Sequence, residues 1–310
     1  MAPLVSSYPP VVATELRQHL EDHYRVRVAR LVPLEPWAPK GVQRVHRSDG
    51  PDWVARVFPS GRPVSQTEDD AEVLRFLEAH DFPAERCAHP EPVSSFDGGS
   101  VLVTEYVEGV NLRGDMSPSA LRDLGDLLGR MHLLDVSDAA IQRPGGCWHH
   151  LSYEGGPRAD ADALLAEVED VELRHLIDEI SDHDDLPPAL VHPDYCGPNA
   201  LRTPTGTVIV DWTSAGRGAR ILSLGTLLRA GQLDLALVDA VVDGYAPHVR
   251  LEAHELERLP AAIRIQGLVL GAWGVGRGYV KVPDLIRDLA EERQASEQIA
   301  ARAARGLAGA

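Results

Sequence analysis

The strongest constraint on the fold of this chain is a change of hydrophobic period at Glu105-Tyr106-Val107-Glu108-Gly109. Before it, apolar and β-branched residues gather in short runs at 26–34, 42–47 and 53–58, near Val93 and at Val101-Leu102-Val103, separated by turns bearing Pro and Gly. After it, nearly every apolar stretch has the 3.6-residue spacing of a helix. The first part therefore reads as an antiparallel meander. A short capped helix from Thr14 to about Tyr24 precedes it, and a main helix opened by Thr67-Glu68-Asp69-Asp70 follows the third strand, with Val73, Leu74, Phe76 and Leu77 as its apolar stripe. The expectation is an α+β chain of two lobes, a small antiparallel-sheet lobe over 1–106 and a mainly helical lobe over 107–310. At 310 residues the chain is long enough for both.

In the second lobe, a helix from Pro118 to about Leu134 carries Leu121, Leu124, Leu127, Leu128 and Met131 at core-facing spacing. A Gly/Pro/His stretch over 143–158 interrupts the pattern, helix-like sequence runs over 159–180, and further helices follow to the end. Gly271, Gly274, Gly276 and Gly278 in an apolar region point to close helix packing. There is no internal repeat.

The chemistry is concentrated in His192-Pro193-Asp194-Tyr195-Cys196-Gly197-Pro198-Asn199 and the following Val208-Ile209-Val210-Asp211-Trp212. An Asp and an Asn five residues apart, then a β-branched run delivering a second Asp, match the phosphoryl-transfer template: one carboxylate orients a hydroxyl and the other two groups hold Mg²⁺. Asn199 and Asp211 supply hard oxygen ligands, and Asp194 stays free to accept the substrate proton. A turn at Gly206-Thr207 makes the segment a hairpin that returns Asp211 toward Asn199.

Composition narrows the partners. A formal net charge of -17 repels polyanions, so nucleic acid and anionic membrane surfaces are not expected, and a neutral or cationic small molecule is. Acidic residues gather at Asp160, Asp162, Glu167, Glu169, Asp170 and Glu172 and again at Asp182, Asp184 and Asp185, as solvated helix faces usually do. No secretory leader pattern opens the sequence and no uninterrupted apolar stretch reaches bilayer length, so the expected location is cytoplasmic. Three cysteines, Cys87, Cys147 and Cys196, fit neither a disulfide framework nor a zinc site, and Cys196 reads as a small packing residue. Lysine is confined to Lys40 and Lys281, so phosphate oxygens must be met largely by arginine.

The octet, the Asp211-Trp212 pair in place of an Asp-Phe-Gly, and Leu124-Gly125-Asp126-Leu127-Leu128-Gly129-Arg130-Met131-His132 together resemble the aminoglycoside phosphotransferase and choline kinase superfamily. The likeness spans nearly the whole chain and implies a protein-kinase-like fold that binds ATP or GTP between its lobes and phosphorylates a hydroxyl of a small molecule. By that resemblance Asp194 is the catalytic base, Asn199 and Asp211 are the Mg²⁺ ligands, and Glu105, Tyr106 and Val107 form the hinge that meets the purine. Arg56 in Trp53-Val54-Ala55-Arg56-Val57-Phe58 takes the place of the third-strand cation that meets the α/β-phosphates, with Glu72 as its partner and Lys40 as a further phosphate contact. Ser223 stands where the family usually has an Asp that braces the catalytic loop. Protein kinases proper are less similar, since the glycine-rich loop, Asp-Phe-Gly and Ala-Pro-Glu are all missing. The acceptor expected from the resemblance is an antibiotic. A primary metabolite (an amino alcohol, a sugar or a homoserine-like compound) is the alternative, and a nucleotide-binding pseudokinase is the non-enzymatic one.

Overall fold

The computed structural model describes residues 13–34, 41–114, 117–146, 171, 174–175, 185–230, 234–276 and 278–309. Most of the helix expected over 159–180, most of the acidic runs, Cys147 and Lys40 lie outside the described residues. The chain divides into two compact units, Met1–Glu108 and Gly109–Ala310.

In the first unit, helix α1 (Ala13–Tyr24) is followed by strands β1 (Val28–Pro33), β2 (Val42–Arg47) and β3 (Trp53–Phe58). Helix α2 (Val64–Ala79) comes next, then β4 (Val93–Phe96) and β5 (Gly99–Glu105). The sheet has five strands in the order β1-β2-β3-β5-β4, every pair antiparallel. Strand β3 is buried at all six positions because it is central. Its alternate residues Trp53, Ala55 and Val57 join Leu16, Leu20 and Tyr24 of α1 in one apolar cluster with Val101 and Val103 of β5. Period-two alternation puts Arg56 on the opposite face. Helix α2 starts at Val64, just after Pro63, so its first turn comes before the Thr67 start expected from the sequence.

In the second unit, α3 (Pro118–Met131) begins with the Ser117 hydroxyl accepting from the Ala120 amide and Pro118 at the first helical position. It lies against α5 (Leu235–Tyr245), with α4 (Ile221–Ala230), α6 (Ala253–Gly276) and α7 (Val282–Leu307) completing the described helices. The α3–α5 crossing is close enough to require glycine: a Cβ on Gly125 would lie 2.3 Å from the Val241 carbonyl oxygen, and one on Gly244 2.1 Å from that of Arg122. Leu285 of α7 likewise occupies the space a side chain on Gly271 would need. Helix α6 is long and apolar enough to cross a membrane, but 56% of its most apolar window is buried within the structure.

Two small sheets carry the loops between these helices. Strands β6 (Val110–Asn111), β8 (Ala200–Thr203) and β9 (Gly206–Ile209) form one, and β7 (Pro188–Val191) pairs antiparallel with β10 (Gly216–Ala219) in the other. The β8–β9 register pairs Thr203 with Gly206, so the turn is Pro204-Thr205 and not Gly206-Thr207. The Thr203 hydroxyl fixes it there, accepting from the Thr205 amide at 3.2 Å and donating to the Gly206 carbonyl at 2.8 Å.

Candidate active site

The loop between β7 and β8 is held from four directions. Its first residue, His192, is tied through its backbone by Ser223 of α4: the hydroxyl accepts from the His192 amide at 3.0 Å and donates to its carbonyl at 2.9 Å. The expected carboxylate brace is thus replaced by a hydroxyl that bonds both backbone groups of the same residue. The His192 ring accepts from the Asp194 amide at Nδ1, which leaves Nε2 as the donor to the Val210 carbonyl, 3.1 Å away. Tyr195, fully buried, donates to the Leu124 carbonyl of α3 at 3.0 Å, and burial pushes its phenol pKa up so that it remains a donor. Trp212 packs edge-on against His192 at 4.8 Å and donates to the Ile209 carbonyl.

This framework leaves the Asp194 carboxylate surrounded by donors. Asn199 Nδ2 donates to Oδ2 at 2.9 Å and to the Asp194 carbonyl at 2.9 Å. Gln266 of α6 donates to Oδ1, as does the Cys196 thiol at 3.3 Å. Cys196 does more than pack: burial and the adjacent carboxylate push its thiol pKa well up, so the proton stays on sulfur and points at Asp194.

The hairpin brings the two metal-ligand candidates together. The Val210 amide donates to the Asn199 carbonyl at 2.9 Å and Ala200 pairs with Ile209, which sets Asp211 just beyond Asn199's strand position. Asp211 has φ 66°, a left-handed conformation costing about 1 kcal/mol for a non-glycine residue that aspartate tolerates better than most. Thr213 donates to its Oδ1 at 3.2 Å. With the Asn199 nitrogen turned to Asp194, its amide oxygen faces away from that carboxylate. One amide oxygen and one carboxylate fit Mg²⁺, which takes few protein ligands when a nucleotide supplies phosphate oxygens. Among the described residues no cluster of three or more His, Cys, Asp or Glu offers an all-protein site.

In the first unit, Arg56 does project from β3 as expected, but its partner is Glu85: Nη1 donates to Oε2 at 2.9 Å, and Thr104 donates to the same oxygen at 3.0 Å. Glu72 lies on the outer side of α2, 52% exposed, and pairs with Arg75 one turn on at 2.5 Å. The acid on the buried side of α2 is Asp70, which pairs with Arg62 at 2.6 Å, both side chains 1% exposed. Two positions separate Asp70 from Glu72, and on a helix that puts them on different faces. At the end of β5, the Glu105 amide donates to the Arg86 carbonyl and the Tyr106 amide to that of Asp52, while the Arg44 guanidinium covers the Tyr106 ring at 3.7 Å.

Beside Asp194 the second unit holds a cavity of about 580 Å³. Asp194, Cys196, Arg229 and Gln266 line its polar side, and Ile263, Leu270 and Ile299 line its apolar side.

The family described as "Phosphotransferase enzyme family" matches residues 37–258. The chain belongs to that family. The phosphotransferase fold is also that of solved structures at low identity. An amicoumacin kinase in complex with AMP-PNP, Ca²⁺ and Ami is 16% identical, with a TM-score of 0.65 over 91% of this chain and 92% of that one. A choline kinase from Streptococcus pneumoniae is 12% identical, TM-score 0.62, over 92% and 97%. A macrolide 2'-phosphotransferase from Brachybacterium faecium is 19% identical, TM-score 0.60, over 90% and 97%. No curated protein matches the sequence significantly. The resemblance drawn from the motifs and the two-part α+β architecture are therefore both met, and the chain is a phosphotransferase of the small-molecule kinase type.

Two features of this phosphotransferase escaped the motifs. Glu85 follows α2 in an irregular segment, where no period marks it. Gln266 is 72 residues from Asp194, and the one sign of it is a polar Arg264-Ile265-Gln266 in a helix that is otherwise apolar from Leu259 on. Gln266 lies beyond the residues the family matches.

Proposed function

We propose that this phosphotransferase moves the terminal phosphoryl group of ATP or GTP to a hydroxyl of a small molecule, in a Mg²⁺-dependent reaction centred on Asp194. The observation that carries the reading is the carboxylate of Asp194, held by Asn199 Nδ2 on one oxygen and bonded on the other to Gln266 and Cys196 at the wall of a cavity. An acceptor hydroxyl seated in that cavity donates to Asp194, which orients the oxygen for in-line attack and takes its proton as the new P–O bond forms. The bond from the terminal phosphorus to the bridging oxygen breaks, and the nucleoside diphosphate leaves with that electron pair. Asn199 and Asp211 are the protein ligands of Mg²⁺, which neutralises phosphate charge when bound. Arg56, aligned by Glu85 and Thr104, is the phosphate cation of the first unit. Val107 supplies the hinge amide for the base, since those of Glu105 and Tyr106 already donate to carbonyls. The reading places the enzyme in the cytoplasm, with no nucleic-acid or membrane partner.

For the acceptor, an antibiotic is the first class to test. Structural neighbours include an amicoumacin kinase and a macrolide 2'-phosphotransferase, alongside a choline kinase and an aminopropanol kinase. The test is ADP and GDP release from ATP and GTP, with and without Mg²⁺, across hydroxylated antibiotics and hydroxylated metabolites. Release that needs both Mg²⁺ and one compound class supports the reading. Binding of Mg²⁺-nucleotide with no transfer to any compound would favour a pseudokinase.

A further inference from the structure

The Gln266 side chain spans two charged groups. Its Nε2 donates to Asp194 Oδ1, and its Oε1 lies 3.5 Å from Nη1 of Arg229 on α4. Both contacts agree on one orientation of the amide, nitrogen toward the carboxylate and oxygen toward the guanidinium. The other end of Arg229 donates to Glu292 of α7 at 2.5 Å, which fixes the guanidinium at the cavity wall. On the phosphotransfer reading Gln266 occupies the place at Asp194 that an acceptor hydroxyl would take, with a donor at one end of its amide and an acceptor oxygen at the other.

Resting on the phosphotransfer reading, we infer that Gln266 stands in for the acceptor, and that the acceptor carries an oxygen anion, most simply a carboxylate, one or two carbons from the hydroxyl that is phosphorylated. The hydroxyl replaces Nε2 at Asp194 and the anion replaces Oε1 at Arg229. A charged oxygen makes a stronger contact with a guanidinium than a neutral amide does, which drives the exchange. The local charge supports this. Among the described residues lining the cavity, Arg229 and Glu292 pair with each other, which leaves the two arginines Arg113 and Arg264 against the one carboxylate of Asp194. The cavity thus reverses the overall negative balance of the chain and disfavours a polycation. Ile263, Leu270 and Ile299 give the rest of the acceptor an apolar wall.

The test uses three eight-carbon probes with the hydroxyl in one place: 3-hydroxyoctanoate, octan-3-ol and 1-aminooctan-3-ol. Binding to the full chain is measured by calorimetry, and phosphorylation with Mg²⁺-ATP. The expected result is at least about tenfold tighter binding of the hydroxy acid than of the alcohol, with the amine weakest. Arg229→Gln should compress the acid-to-alcohol ratio about tenfold, and Arg229→Lys should restore part of it. A misfolded variant would lower all probes together and leave that ratio unchanged, so an unchanged ratio in a variant with wild-type unfolding overturns the proposal. Equal or reversed preference in the wild type overturns it as well. Transfer to the alcohol or amine without acid preference would sink this inference and leave the phosphotransfer reading standing. Acid preference in binding with no transfer to any probe or panel compound would overturn the phosphotransfer reading and the acceptor role with it, leaving a hydroxy-acid binding site.

Discussion

The two units bury charge in different ways. In the first, Arg62 and Asp70 close on one another, both side chains almost wholly buried. In the second, the charged groups around Asp194 open onto a cavity, and their hydrogen bonds run through an amide that a ligand can replace. A closed pair returns its desolvation cost only while both partners are present, so its loss is felt in stability. An open set is arranged for something that comes and goes, so its loss is felt in turnover.

The sharpest way to break this contrast is in the first unit. Asp70→Ala leaves the Arg62 guanidinium buried without its carboxylate and should destabilise the protein by about 3–5 kcal/mol, visible as a fall in the denaturant midpoint. A midpoint within error of the wild type would show that the pair is not a stability element. A smaller effect sharpens the contrast within the second unit, away from the cavity. His132 at the end of α3 lies buried against Tyr245, 2.9 Å from its hydroxyl, and burial, with the nearby Arg220 charge adding to it, lowers its pKa from 6.5 to about 3. Between those values the unfolded chain holds a proton the folded one does not. Stability is therefore complete above about pH 6.5 and declines as pH falls toward 3, by on the order of a few kcal/mol. Urea melts at several pH values for the wild type and His132→Gln check this: the variant should lose part of the slope in that window, and an identical slope would contradict the assignment.

What the sequence revealed follows the same division between local and distant interactions. Strands β2 and β3 have the bounds read from their patterns, because a half-buried or central strand is a local signal. The loop from His192 to Asn199 stands out in the sequence as one unit because its residues lie within eight positions. The partner of Arg56 was not, since the choice between Glu72, Asp70 and Glu85 depends on which face of α2 meets the sheet and where the chain goes after it. Strand β10 was missed because Gly216-Arg217-Gly218-Ala219 has no β-branched residue, and it exists by pairing with β7. Ser223 was read as the loss of a brace, yet a hydroxyl at that position bonds both the amide and the carbonyl of His192. Gln266 reaches Asp194 only through the packing of α6.

The central claim is that Asp194 carries chemistry and not stability. Its most direct test is Asp194→Ala, with single-turnover phosphoryl transfer, Mg²⁺-nucleotide affinity and the denaturant midpoint measured on the same preparation. The account predicts transfer lowered by about 10²–10⁴-fold, with nucleotide affinity and midpoint near those of the wild type. Transfer within a few fold of the wild type, or a loss of transfer matched by a loss of folding, would contradict it.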